Sequence, residues 1–531
     1  MTGSSALMAI GHILMCYTLF FSFHANKALG YGATMVESNK SHAPPSCSGT
    51  TTGLRVVHKY GPCSPSGLKK TSAVASQILA KDKLRVRAIN SRLHNRRTIG
   101  LEGQGTTDTY LQNDLPGAGT FWVSVGFGTP LKDFNLVLDT GSYVTWVQCE
   151  PCTESPCPQQ QNPSLYYPSF SSTSSNAPCS PLCNYTQAYF DKSTSGGVFV
   201  LDTVSIGQDY QIPEFIFLCA DKKIGDFDGA HGILGLGPAS SGDEFANYSL
   251  ATQTANLFGR VFCHCLPSSG NSGYVYFGEK AREQCPFSGT YTRLLRNPVF
   301  GASYYFVNLI AITLGQKKVE VPSGIFSSSQ GTIIDSGTVI THLPFSVYSE
   351  LSQEFDRLMS EFPPANPSDD GVLKACYNLA DQDNLAIPEM VLHFENLDVN
   401  LDQTAVTWKG NDNMSQVCFA FAAKEDEEDV TIIGNHQQQK LNMLFNIPDQ
   451  RLEIGPERKD PFSLGPQTIT LRWRNKPQVS LKPQTVRFRG HSGYSHITPA
   501  FYMGNPLTPY PAMIQHDRTR LDHDAKQVEM H

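Results

Sequence analysis

The chain is predicted to be mostly β, as two related β-rich lobes with a cleft between them and few short helices. Three observations predict this. Charged residues make up only 17% of the sequence against 40% apolar, and short alternating runs such as Tyr274-Val275-Tyr276-Phe277 and Phe306-Val307-Asn308-Leu309 recur between turn residues, the pattern of half-buried strands. A hydrophobic run ending in an acidic turn occurs twice: Phe134 to Leu138 leads into Asp139-Thr140-Gly141-Ser142, and Thr332-Ile333-Ile334 leads into Asp335-Ser336-Gly337-Thr338. Each turn is followed by an apolar pair and a glycine, Gly235 coming 96 residues after Asp139 and Gly434 coming 99 residues after Asp335. Repetition at this period marks duplicated units.

The duplication gives the acidic turns their meaning. One Asp-(Ser/Thr)-Gly triplet is an ordinary polar turn, whereas two at equivalent places in duplicated lobes bring two carboxylates together across a symmetric cleft. With these residues, the chain resembles the pepsin-type aspartic proteases, and among them the nepenthesin-like plant enzymes, over roughly residues 50 to 458. The plant-type features are the Cys-rich insertion 149–183, Gly61-Pro62-Cys63-Ser64-Pro65 and Gly434-Asn435-His436-Gln437-Gln438-Gln439.

The resemblance implies a bilobal pepsin-like fold and an aspartic endopeptidase that hydrolyses polypeptides in acid, is made as a zymogen, and uses no cofactor or metal. Asp139 and Asp335 are the implied catalytic pair, sharing a water that one carboxylate deprotonates while the other, protonated, polarises the peptide carbonyl. Ser142 and Thr338 are expected to hydrogen-bond these carboxylates, Gly141 and Gly337 to permit close backbone approach, and Thr140 and Ser336 to buttress the turns. Tyr189 is the implied flap tyrosine over substrate, although Phe190 and Lys192 stand where relatives carry glycine. Trp146 is either its hydrogen-bond partner or a core residue. Two rival readings are a catalytically silent member acting as a binding or inhibitor protein, and a glycosidase with paired acids; the second leaves the duplicated turns and glycines unexplained.

The expected organisation is a signal peptide at 1–30, a basic pro-segment at 31–115, an N-terminal lobe at 116–310, a C-terminal lobe at 311–460 and a non-family tail at 461–531. The apolar stretch from Ala6 to Phe23 is interrupted by Gly11, His12 and Ser22, which favours a cleaved signal over a membrane anchor. From Arg55 to Arg97, within the pro-segment, Lys59, Lys69, Lys70, Lys81, Lys83, Arg85, Arg87, Arg92 and Arg96 face essentially one acid, Asp82. Val74 to Arg97 reads as a helix with Leu79, Val86 and Leu93 on one side. Such a segment is expected to lie across the acidic cleft as an intramolecular inhibitor and to be released below about pH 5, as the carboxylates protonate. Ser346 to Phe362 is a second helix, stopped by Pro363-Pro364. The tail is read as a disordered appendage or non-homologous sequence, against a nucleic-acid-binding alternative built on Arg472, Arg474, Lys476, Lys482, Arg487 and Arg489.

A net charge of −7 leaves no overall nucleic-acid footprint. Fourteen cysteines fit an oxidising compartment, so Cys149, Cys152, Cys157, Cys179, Cys183, Cys219, Cys376 and Cys418 are disulfide candidates; zinc is the competing reading for Cys149-x2-Cys152 and Cys179-x3-Cys183. Relatives end with a cysteine that this chain lacks, which leaves one of Cys263, Cys265 and Cys285 without a partner. His264 and His436 are read as structural, and Glu425 to Asp429 as a solvated loop. Asn184, Asn247 and Asn413 are glycosylation candidates, as is Asn39. The expected product is an extracellular monomer, free of the membrane once its signal is cleaved; vacuole and plastid remain alternatives.

Overall fold

The computed structural model describes residue 47 and residues 53–101, 119–149, 165–178, 184–188, 194–224, 229–239, 246–268, 272–285, 289–297, 301–321, 331–379, 387–409 and 415–457. The tail therefore lies outside the described residues, as do Tyr189, Asn39, Asn413, Cys152, Cys157, Cys179 and Cys183. The fold is mostly β, in agreement with the sequence.

The labelled elements are β1 (Leu54–His58), α1 (Ser72–Leu101), β2 (Phe121–Phe127), β3 (Lys132–Asp139), β4 (Trp146–Gln148), β5 (Gly232–Gly235), β6 (Val261–Cys265), β7 (Ser272–Phe277), β8 (Gly301–Val307), β9 (Thr332–Ile334), β10 (Thr341–Leu343), α2 (Phe345–Leu358), β11 (Phe421–Ala423), β12 (Thr431–Ile433), β13 (Leu441–Asn446) and β14 (Arg451–Pro456). Among the described residues one 14-stranded sheet contains the order β14-β13-β6-β7-β1-β2-β3-β5-β4, and a six-stranded sheet contains β8-β9-β12-β10-β11.

The duplication inferred from sequence is visible in strand pairing. β3 runs parallel to β5, which also pairs antiparallel with β4; β9 runs parallel to β12, which pairs antiparallel with β10. Parallel pairing buries both faces. Phe134, Leu136 and Leu138 accordingly enter one apolar cluster while Val137 enters the one on the other side, which is why β3 reads as an almost unbroken apolar run.

Two helices flank this framework. α2 buries Val347, Leu351 and Phe355 on one face and ends four residues earlier than predicted, Met359 to Phe362 forming turns before Pro363. The described residues 53–101, expected to belong to a pro-segment, are more deeply integrated than their basic composition suggested. Besides α1 they contribute β1, which lies between β7 and β2 in the large sheet.

Four disulfides are present among the described residues: Cys47–Cys63, Cys149–Cys219, Cys263–Cys285 and Cys376–Cys418. Cys149 is thus committed to sulfur. Cys265 is the buried free thiol, two residues along β6 from Cys263. His264 between them is buried, and burial lowers its pKa to about 4. We predict that non-reduced peptide mapping finds Cys263 joined to Cys285 and a Cys265 that alkylates only after unfolding; alkylation in the native protein contradicts the packing.

Candidate active site

Asp139 is the last residue of β3, directly opposite Gly235. Asp335 follows β9, and its amide donates to the Ile433 carbonyl at 3.2 Å, which sets it beside Gly434. The glycines complete this arrangement because the chain leaving each aspartate turn crosses over them. A Cβ at Gly235 would lie 2.7 Å from the Tyr143 carbonyl carbon, and one at Gly434 would lie 2.7 Å from that of Ile340. Both approaches are closer than any side chain tolerates, so the apolar-glycine element is a clearance requirement of the acidic turn.

The two turns are tied to each other by crossed hydrogen bonds. Thr140 N–H donates to Ser336 Oγ at 3.0 Å and Ser336 N–H donates to Thr140 Oγ1 at 2.9 Å. Each hydroxyl also donates onward across the cleft, Ser336 to the Leu138 carbonyl at 3.0 Å and Thr140 to the Ile334 carbonyl at 3.3 Å. Thr140 and Ser336 therefore bridge the two turns, a larger role than the local support expected of them. Gly141 and Gly337 each donate an amide to the preceding aspartate's Oδ1 at 2.9 Å. Their missing side chains matter too, since a Cβ on Gly141 would lie 2.5 Å from Asp335 Oδ1.

The carboxylates, both with no exposed surface, share one cation. Arg85 of α1 donates Nη2 to Asp139 Oδ1 at 2.7 Å and to Asp335 Oδ1 at 2.9 Å, and Nε to Asp335 Oδ2 at 3.0 Å. Thr338 Oγ1 also donates to Asp335 Oδ2. The mirror-image bond expected from Ser142 falls outside ordinary hydrogen-bond geometry at its buried Oγ and Asp139 Oδ2, although Ser142 still acts to lower the Asp139 pKa. The guanidinium forks onto Asp335 and gives Asp139 only Nη2, so both donors to Asp139 converge on Oδ1.

This asymmetry separates the two acids. For Asp335, burial pushes the pKa up, but Arg85, Thr338 and the Gly337 amide outweigh it and hold the carboxyl below its ordinary value. For Asp139 burial wins over Arg85 and, with the neighbouring Asp335 charge, raises the pKa. Two carboxylates in one site titrate as a pair. The geometry makes Asp335 the ionised member and Asp139 the one that takes a proton first.

Arg85 is held in register by the rest of α1. Asp82, one turn before it, accepts from the amides of Val339 at 2.6 Å and Ile340 at 2.9 Å, with His342 Nε2 4.0 Å away. Ala75, Ile78 and Leu79 pack with Val339, Ile340 and Trp408; Val86, Ile89 and Leu93 pack with Phe306, Ile333 and Ile432. The loop read as solvated, Glu425 to Asp429, is exposed over Glu425 to Glu428 as expected, with Asp429 buried, and it also carries contacts with α1. Arg87 donates to both Glu425 oxygens at 2.6 and 2.7 Å, Lys83 lies 3.3 Å from Glu425, and Val430 N–H donates to Asn90 at 3.0 Å. These pairings are not legible in the local sequence because the cationic partners lie some 340 residues away.

The remaining candidates are placed more simply. Trp146 is buried between β5 and Tyr210–Ile224, in a cluster with Trp122, Phe199 and Ile233; its relation to Tyr189 lies outside the described residues. His436 meets the Thr407 carbonyl at 2.9 Å from Nε2, a structural contact. Asn184 begins the strand Asn184–Ala188, and Asn247 is exposed. Sequence reasoning counted Arg85 among the basic residues without singling it out. The available signal was Asp82 and Arg85 at helical i,i+3 spacing beside the Leu79-Val86 stripe.

The crossed bridge generates a direct test. In Thr140→Val the Ser336 amide loses its buried acceptor, at a cost of about 1–3 kcal/mol, so we predict a lower Tm by calorimetry together with reduced turnover. Ser336→Ala should behave alike, and the double variant should lose less than the sum, because the bonds are mutual.

Comparison with known proteins agrees with this architecture. The family descriptions "Xylanase inhibitor N-terminal" and "Xylanase inhibitor C-terminal" match residues 121–279 and 304–456. Aspartyl protease AED1 of Arabidopsis thaliana is 33% identical over 442 residues, 80% of this chain and 90% of that protein. Aspartyl protease 25 of Oryza sativa subsp. japonica is 27% identical over 444 residues, 76% and 94% of the two chains, and aspartic proteinase nepenthesin-2 of Nepenthes gracilis is 27% identical over 400 residues, 72% and 84%. With duplicated aspartate turns, their glycines and relatives along most of its length, the chain belongs to the pepsin-like aspartic protease family.

Proposed function

We propose that the protein is an acid-acting aspartic endopeptidase made as a zymogen, and that α1 is its inhibitory segment. The observation that carries this reading is the position of Arg85 Nη2, within 2.9 Å of an oxygen on each aspartate. A single small group at that point touches both carboxylates, as the attacking water must. With α1 withdrawn, the ionised member of the Asp139–Asp335 pair takes the water's proton while the water adds to the peptide carbonyl. The protonated member donates to the carbonyl oxygen, and the amine leaves with the proton returned by the pair. The disulfides accord with a secreted product.

The charges around α1 set the pH of release. Asp335, and Glu425 through its hydrogen bonds to Arg87, sit below their ordinary values of 3.8 and 4.5 when the helix is docked. Their contribution to docking is complete above those values and is lost only as the pH falls through the lower docked ones. Asp82 runs the other way. Burial raises its pKa to about 7 against the pull of the Val339 and Ile340 amides, so its charge opposes docking above that pH, and the opposition fades as it protonates. Release is therefore delayed to below the pH 5 expected from ordinary carboxylates.

A second reading, a binding or inhibitor protein, is favoured by the xylanase-inhibitor descriptions of the matching families. Activity decides between them. The acid-treated protein should cleave a denatured protein substrate with a pepstatin-sensitive activity that Asp139→Asn lowers roughly 10²-fold or more; no cleavage from pH 2 to 6 by a folded protein freed of α1 favours the second reading. The precursor carrying Arg85→Gln should become active at higher pH than the wild type. Its helix loses the cation buried against the dyad, a change of about 3–5 kcal/mol. An unchanged activation profile removes Arg85 from the inhibitory role.

A further inference from the structure

The pro-segment divides into two parts that are anchored differently. α1 lies on the cleft through side chains, whereas β1 is a strand of the large sheet with neighbours on both sides. Val56 and Val57 face Val123 and Trp122 of β2, and Leu54 to Val57 face Val275 to Ser272 of β7. Among the described residues β1 is the strand that joins the β14-β13-β6-β7 half of the sheet to β2. Leu54 and Val56 belong to the main core, and Val57 packs with Cys47, Cys63 and Trp122 in the second cluster. The Cys47–Cys63 disulfide closes a loop around β1, and Arg55 donates to the Cys47 carbonyl.

We propose that β1 with its disulfide loop stays in the sheet of the active enzyme as a short second chain, and that cleavage in the exposed connector Gly67–Lys69 separates it from α1. This rests on the reading of α1 as the inhibitory helix. The connector suits a protease: Leu68 is 48% exposed, and a Cβ at Gly67 would meet nothing within 4 Å. Hydrolysis of the Leu68–Lys69 bond consumes one water and leaves a carboxylate and an amine, both in solvent. A further cut beyond Leu101 removes α1 without touching β1.

Departure of β1 would be costly. It would strip the buried Leu54, Val56 and Val57 from the core and leave the facing amides and carbonyls of β2 and β7 without partners. Residues 102–118, the stretch before β2, are a poor replacement. They are Gly-, Thr- and Gln-rich with Glu102, Asp108 and Asp114, and no window repeats the apolar spacing of Leu54, Val56 and Val57. β1 carries no carboxylate, and Arg55 lies opposite Tyr274. Its acid-sensitive group is His58, whose pKa is lowered to about 3 by burial and by Lys70, His436 and Lys59; acid below the ordinary histidine value therefore opposes retention, and the strand pairing, apolar burial and disulfide loop must outweigh it.

A site-specific protease sequence placed between Gly67 and Leu68 of the full-length precursor allows the connector to be cut at neutral pH, before any activation. Native size-exclusion chromatography with intact mass analysis should find the fragment containing Cys47 and Cys63 co-eluting with the remainder and leaving only in denaturant. The unmodified enzyme after acid activation should contain the same fragment at about one copy per catalytic chain. In the Cys47→Ser, Cys63→Ser double variant the nicked fragment should escape at least about tenfold faster. Loss of the fragment from the nicked precursor, or full activity in an acid-matured enzyme lacking residues 53–64, overturns the proposal. Retention without acid activity in any form supports retention and instead fails the protease reading.

Discussion

Two carboxylates with no exposed surface cannot both be ionised without a partner, and the arrangement around Asp139 and Asp335 follows from that constraint. The crossed Thr140 and Ser336 bonds force the acids together; Gly141 and Gly337 remove the side chains that would keep them apart. Repulsion is then settled in one of two ways. Either a proton is shared by the pair, which is what peptide hydrolysis uses, or a cation is inserted, which is what Arg85 does. Catalysis and inhibition exploit the same electrostatic problem, and this is why an inhibitory group can occupy the site without altering the backbone that defines it.

Arg85 is not the main source of the helix's affinity. A buried ion pair recovers little beyond its own desolvation, while Ile78, Leu79, Val86, Ile89 and Leu93 are all buried and each contributes about 2 kcal/mol. Apolar contact on either side of Arg85 holds the helix, and Asp82 on the Val339 and Ile340 amides sets its register. Acid acts only on the charged part. Protonation therefore weakens and misaligns the plug while leaving most of its contact area intact, and a cut chain is needed to turn that weakening into departure.

The legible features were those written in local sequence. The mostly β class, the acidic turns and their distant glycines could be read because each is a short motif imposed by backbone clearance. The two helices were read because apolar residues recur at helical spacing. What could not be read depends on contacts between segments far apart in the chain. Glu425 is solvated as read, but its pairing with Arg87 is not legible because Arg87 is 338 residues away. Ser142 and Thr338 look equivalent in the repeat, yet an external guanidinium that forks on one acid breaks their symmetry. β1 was overlooked for a related reason: Leu-Arg-Val-Val-His is too short to announce itself, and nothing in it says which strands lie beside it.

That last omission bears on what a pro-segment is. An inhibitor must leave, so its contacts should be concentrated in side chains whose partners can change charge and in a connector that can be cut; α1 fits this description through Arg85 and Arg87 on their carboxylates and the exposed Gly67–Lys69 stretch. A structural strand must stay, so its contacts should be mainly backbone hydrogen bonds and buried apolar side chains, as in β1, where His58 is the acid-sensitive exception. While the connector is intact, β1 fixes α1 beside the cleft at high effective concentration, and a helix weakened by acid rebinds. Cutting the connector removes that return path at one end without disturbing the sheet. On this proposal, joining the two parts by exposed residues lets one chain be both a permanent strand of the enzyme and its removable plug.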